Sequence, residues 1–201
     1  MGAVLLRRVN RRQARAASGE LADLYVDSRK TSARWPYRSP GRQGFLDRLT
    51  AEIRRPGFAM VIAETDGLVG CAFGFPVRSD GFRGLGFDGA LSRGSGQLTD
   101  SGGVFAITDT LVRPYSQDEH VARRLQERLL TDHHAALGVT LVDRVDHRAL
   151  AALRSWGWLD VGENWGPVGA ALLRVLVPPV GERTTARPKG LGHEAGPRWP
   201  R

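Results

Sequence analysis

The chain predicts a single α/β domain, and three observations carry that prediction. Short apolar runs alternate with longer amphipathic stretches in the order β-α-α-β-β-β-α-β-α-β-β. The 201 residues suffice for one sizeable core and are few for two. Between Val112 and Leu125 an apolar strand passes through a short polar loop into an amphipathic helix. Such a junction leaves free N–H groups and the positive end of the helix dipole facing whatever precedes the helix, which is how proteins hold phosphate.

The elements follow from periodicity. Ala3 to Val9 predicts a first strand, and Arg12 to Val26 a helix with Ala17, Leu21, Leu24 and Tyr25 among its apolar positions. The Pro-containing connection Trp35 to Gly41 interrupts it, and Gln43 to Arg55 predicts a second helix with Phe45, Leu46, Leu49 and Ile53 on one side. Phe58 to Glu64 and Leu68 to Val77 predict a hairpin around Thr65-Asp66-Gly67, because Asp-Gly readily adopts positive φ. Residues 79 to 103 hold eight glycines and predict a long excursion of the kind that covers sites or stays disordered. Val104 to Arg113 predicts a strand, and Gln117 to Ala136 a helix striped by Val121, Leu125 and Leu129. A strand over Val139 to Val142, a helix over Asp146 to Trp156 and strands over Trp158 to Gly162 and Val168 to Val177 complete the order. Residues 1–178 are therefore read as the domain, and 179–201, rich in Gly, Pro and Arg, as a disordered basic tail.

Charge is placed at the ends. The formal excess of +8 comes from five Arg in residues 1 to 15 and five Lys/Arg against two Glu in residues 181 to 201, while residues 16 to 180 balance at 19 against 19. A basic groove built into the fold is not expected, and nucleic acid is not the expected partner. One cysteine, Cys71, excludes an internal disulfide and fits a reducing compartment. No run reaches the roughly 18 apolar residues of a membrane span, so no membrane partner is expected and the expected location is cytoplasmic. The Arg-rich start faintly resembles a transit peptide, but reads more simply as a strand and the beginning of a helix. Arg outnumbers Lys by 27 to 2, a bias that reads as genome composition of a bacterial kind.

The junction has a recognisable pattern. Val112, Pro114, Gln117 and Ala122 match Val-x-Pro followed by Arg/Gln-x-x-Gly-x-Gly/Ala, with His120 in place of the middle glycine. The segment resembles the acyl-CoA pyrophosphate loop of the GNAT superfamily of N-acyltransferases. Asp146-x-x-Ala149-x-x-x-Leu153-x-x-Trp156-Gly157-Trp158 is similar to that family's closing segment, Asn-x-x-Ala-x-x-x-Tyr-x-x-x-Gly-Phe. The resemblance covers about residues 3 to 177. It implies a central mixed, mostly antiparallel sheet with helices on both faces. It also implies transfer of an acetyl or related acyl group from acetyl-CoA or another acyl-CoA to an amine, here of a small metabolite, without a metal and in a possible homodimer.

Site residues follow from the resemblance. The backbone of Leu111, Val112 and Arg113 is expected to pair with the pantetheine arm as an added strand. Gln117, Asp118, Glu119, His120, Val121 and Ala122, with Arg123 and Asp146, are expected to contact the cofactor. Asp109 holds the position of the family's base, and a carboxylate in an otherwise apolar strand is costly unless paired or poised for chemistry. The family's tyrosine acid aligns with Leu153, which has no proton to give, so Tyr115, Ser155 or water stands in for it. Trp35 and Tyr37 are expected to wall the acceptor site.

Simpler readings stand beside these. Ser116 and Glu119 form a Ser-x-x-Glu capping box that lets the helix start satisfy itself, and the two carboxylates of the first turn would repel a pyrophosphate. Asp109 equally reads as a strand residue paired with a neighbouring Arg. The same departures fit a GNAT-fold binding module without acyl transfer, or a scaffold recruited to a CoA-independent reaction with Asp109 and His120 as its acid–base pair. Gly84 to Gly89 spells Gly-x-Gly-x-x-Gly but neither follows a strand directly nor opens a helix. His133 and His134 lack metal-ligand spacing, and Cys71 and the tryptophans 156, 158 and 165 read as core.

Overall fold

The computed structural model describes residues 3–29, 41–77, 103–114, 119–135, 137–143, 146–165 and 172–177. Seven strands form one sheet: β1 (Leu5–Val9), β2 (Ala59–Glu64), β3 (Leu68–Val77), β4 (Val104–Val112), β5 (Leu137–Asp143), β6 (Leu159–Trp165) and β7 (Leu172–Val177). Their spatial order is β1-β2-β3-β4-β5-β7-β6. Among the described residues, only β4 and β5 run parallel; the other neighbouring strands are antiparallel. The mixed, mostly antiparallel sheet expected from the resemblance is the one observed.

Helices cover both faces. On one lie α1 (Arg11–Ala16), α2 (Ser18–Arg29) and α3 (Arg42–Arg54), whose Leu21, Leu24, Tyr25, Phe45, Leu49 and Ile53 pack on Cys71, Phe73 and Leu111. Tyr25 stacks on Phe45 at 4.5 Å between centroids, and Phe45 meets Phe73 edge-on at 6.4 Å. On the other lie α4 (Glu119–Asp132) and α5 (His147–Ser155), whose Val121, Leu125, Leu129, Leu150 and Leu153 pack on Ala72, Phe105, Ile107 and Trp158. Each of these large apolar side chains contributes about 1.5–3 kcal/mol by leaving water.

Two expectations need correction. The single helix read from Arg12 to Val26 is two helices that break at Ala17, ahead of the poor helix formers Ser18 and Gly19. Asn10 and Gln13 close a capping box that starts α1. The 65–67 turn exists, but neither Asp66 nor Gly67 has positive φ. A register shift between Ala63 and Glu64 absorbs the odd residue instead, so the reason given for that hairpin does not apply.

Candidate active site

The site begins with an irregularity in β4. Phe73 pairs with Asp109 but Gly74 pairs with Ile107, so Thr108 is an extra residue on the β4 side. A bulge of one residue reverses the in–out alternation of a strand. Phe105 and Ile107 accordingly face α4, whereas Leu111 faces α2 and α3. Asp109 follows Leu111 to that face and meets Arg48 of α3, while Thr110 meets Gln126 of α4 on the opposite one. Gly74 permits the bulge, since a Cβ there would overlap the Ala106 carbonyl oxygen.

The bulge also marks where the sheet opens. β4 pairs with β5 only from Val104 to Ile107, and β5 continues from Thr140 to Asp143 against β7. Among the described residues, no strand pairs with the β5-facing edge of Thr108 to Val112. Arg113 donates its backbone N–H to Val69 of β3 at 2.9 Å. Alternation then turns the Leu111 amide toward β3 as well, and those of Thr110 and Val112 toward the open edge. Of the three residues expected to pair with an extended arm, only Val112 offers its N–H; Thr110, not expected, offers the other.

Asp109 sits in a charged pocket within an apolar layer. Its side chain is 9 % exposed, and its Oδ2 lies 2.8 Å from Arg48 Nη2. Burial pushes its carboxyl above the usual range, against the opposing pull of Arg48 and then Arg29. Glu52, one helical turn beyond Arg48, is also raised, chiefly by burial, with Arg55 opposing and the Asp109 charge adding to it. Arg55 lies 3.8 Å from Glu52 Oε2 and stacks over Phe75 at 4.3 Å. Cys71, opposite Leu111, is fully buried; burial and then Asp109 push its thiol far up, so it holds its proton.

Sequence reasoning missed Arg48 and Glu52. The available signal was their position beside the Phe45, Leu49 and Ile53 stripe, together with the need of Asp109 for a cation.

Other expected residues scatter. Tyr115, Gln117, Asp118, Trp35 and Tyr37 lie outside the described residues, as does the Ser116 half of the capping box. Helix α4 is described from Glu119 onward, and residues 115–118 ahead of it lie outside the described residues. Val121 points its side chain into the core and His120 is exposed. Arg123 is held by Glu127 at 2.7 Å, and Arg124 reaches the Val4 carbonyl at 3.3 Å, so neither cation stands free at the helix start. Asp146 caps α5, accepting from Ala149 N–H at 3.0 Å, and Leu153 is buried core. His133 stacks on Phe105 at 4.8 Å. Among the described residues, no cluster of His, Cys, Asp and Glu has a metal-binding arrangement, and no helix is long and apolar enough to cross a membrane.

Asp109 and α4 thus lie on opposite faces of the sheet, near the point where β4 and β5 cease to pair. No family model matches the sequence, and no curated protein matches it. Solved structures do. An acetyltransferase from Thermus thermophilus is 16 % identical, with a TM-score of 0.58 over 88 % of this chain and 98 % of that one. A Desulfovibrio desulfuricans protein described as an acetyltransferase of the GNAT family is 13 % identical, with a TM-score of 0.60 over 89 % and 100 %. The fold is the GNAT fold. A ribosomal-protein-alanine N-acetyltransferase from Brucella melitensis shares it at 18 % identity and a TM-score of 0.54, over 86 % of this chain and 98 % of that one. In this GNAT fold the strand order, the opening beside β4 and the carboxylate just past the bulge occur in one continuous region.

Proposed function

We propose that the chain transfers an acetyl or related acyl group from CoA to an amine, and that the acceptor is a small metabolite. The observation that carries the reading is the unpaired edge of β4 beside a buried carboxylate. An extended pantetheine arm offers amide groups that match the Thr110 and Val112 amides, as an added strand would. Its thioester then lies in the plane of the sheet, between α4 on one face and Asp109 on the other. The first-turn N–H groups of α4 suit the phosphates of the same molecule.

The chemistry needs few groups. An amine attacks a thioester only when neutral, so a base must take the ammonium proton before or during attack, and the thiolate must regain one as it leaves. Asp109 is the base or the anchor of the ammonium group, and its raised carboxyl brings its basicity nearer to that of the amine. Holding both reactants at that edge contributes about 7–11 kcal/mol in well-oriented systems. Tyr115 is the proposed acid, since Leu153 is an apolar core residue.

A protein N-terminus is the second reading, favoured by the Brucella melitensis neighbour, whose name gives a ribosomal-protein alanine as its target. A thiol-release assay with acetyl-CoA separates the two. Small amines with release above the hydrolysis background support the first reading, and release only with Ala-initiated peptides supports the second. No release from any amine, with no heat on titration of acetyl-CoA, overturns acyl transfer altogether.

A further inference from the structure

Asp109 is asked to meet an incoming ammonium group, yet its charge is already taken. Arg48 Nη2 lies 2.8 Å from it. A carboxylate held by a guanidinium is both a weak base and a weak attractor of cations. If Asp109 works on an amine, Arg48 must leave it, and the leaving guanidinium needs another carboxylate within reach.

One is in place. Glu52 follows Arg48 by four residues on α3, the spacing at which helical side chains meet. Its Oε2 is shut off from solvent and has no hydrogen-bond partner among the described residues, and the same holds for Arg48 Nε and Nη2 and for Asp109 Oδ2. The Arg48–Asp109 contact is therefore close but poorly aligned, a charge contact without a well-directed N–H. Arg55 leaves Glu52 only partly served, at 3.8 Å, because its own guanidinium is drawn over the Phe75 ring. Buried donors and acceptors left unmatched one helical turn apart are destabilising, and an Arg48–Glu52 pair would match them. Arg48 also has room to move, since its side chain is 40 % exposed.

We propose that Arg48 is a positioning residue that alternates between Asp109 and Glu52, and that the ammonium group of the acceptor takes its place on Asp109. In the resting chain Arg48 exchanges between the two carboxylates, and the arrangement on Asp109 is the one observed. When the ammonium group arrives, Arg48 moves wholly to Glu52, so that each buried carboxylate then has a cation of its own. Asp109 then takes one proton: an N–H bond breaks, an O–H bond forms, and the electron pair remains on the nitrogen. Among the described residues, the other charged or titratable groups that face Asp109 are Arg29 from α2 and the protonated Cys71 from β3; Glu52 faces Arg55 as well. The proposal rests on acyl transfer to an amine for the identity of the visitor, but the alternation itself does not need acyl-CoA.

The test is a carboxyl-carbon NMR titration of the full chain in wild type, Glu52→Gln and Asp109→Asn, each repeated with Arg48→Gln. With Arg48 in place, Glu52→Gln leaves the guanidinium wholly on Asp109, whose midpoint falls by about one unit or more. Asp109→Asn lowers the Glu52 midpoint in the same way. With Arg48→Gln both effects largely vanish. Midpoints that do not move, or that fall equally with and without Arg48, mean fixed pairing or direct repulsion and overturn the proposal. Should Arg48→Gln fail to fold, the Arg48 Nε–H resonance decides: it shifts in both Glu52→Gln and Asp109→Asn under alternation. A resonance identical in wild type and Glu52→Gln overturns it. Thiol release is read separately, so inactivity with every amine overturns acyl transfer without moving these titrations.

Discussion

Gly74→Ala is the sharpest perturbation of this fold. The added Cβ would overlap the Ala106 carbonyl oxygen and lie 2.9 Å from both the Ala106 carbonyl carbon and Phe105 Cε1. Two of these three atoms are backbone, so no rotamer change relieves the clash and β3 must draw away from β4 at the bulge. Overpacking in a core costs about 1–3 kcal/mol, and each ladder hydrogen bond lost there adds about 1 kcal/mol. A total of roughly 2–5 kcal/mol follows if one or two bonds break. For a domain of this size that lowers Tm by about 2–4 °C per kcal/mol, or about 10 °C in all. The matched control is Gly67→Ala, where nothing lies within 4 Å of the new Cβ and φ is not positive; it is neutral or stabilises by up to about 1 kcal/mol. Urea denaturation of the three chains gives the comparison. A Gly74→Ala chain within about 1 kcal/mol of wild type would refute the close approach of the strands, and with it the register that turns Asp109 toward α3.

Two further outcomes follow from the buried ionisable groups. The raised Asp109 and Glu52 carboxyls keep protons in the folded chain at pH values where the unfolded chain has lost them. Their stabilising contribution is therefore complete below about pH 4, the unfolded value, and is lost as pH rises through the native values. Asp109→Asn removes one such group, so urea midpoints measured from about pH 4 upward fall less steeply than in wild type; an equal or steeper fall contradicts the raised carboxyl. Cys71, buried and held protonated, resists iodoacetamide at pH 8 in the native chain and reacts once urea unfolds it, by mass spectrometry. Rapid native labelling would place the thiol at an accessible surface.

Much of the architecture was legible because apolar spacing survives on nearly every element. The α4 stripe of Val121, Leu125 and Leu129 is the clearest case, each side chain ending at most 1 % exposed. Features that depend on pairing were not legible. Nothing in Thr108 marks it as an extra residue, because a bulge is a property of two strands and shows only when β3 is laid beside β4. The break at Ala17 was hidden by Leu21, Leu24 and Tyr25, which continue the helical period across it. Asp109 was legible as a carboxylate out of place, but its partner was not, because Arg48 is 61 positions earlier on an element whose packing face had to be known first. The resemblance at Val112 to Ala122 located the opening of the sheet, yet placed the arm on Leu111 and Arg113, whose amides face β3.

The central claim is that the free edge of β4 receives an extended acyl-CoA arm. Amide hydrogen exchange of Thr110 and Val112, resolved by NMR with and without saturating acetyl-CoA, tests it most directly. Both amides are expected to exchange readily in the free chain and to become strongly protected with ligand, while the Leu111 and Arg113 amides, already facing β3, change little. Equal exchange of Thr110 and Val112 in the two states, or protection of Leu111 and Arg113 in their place, would contradict it.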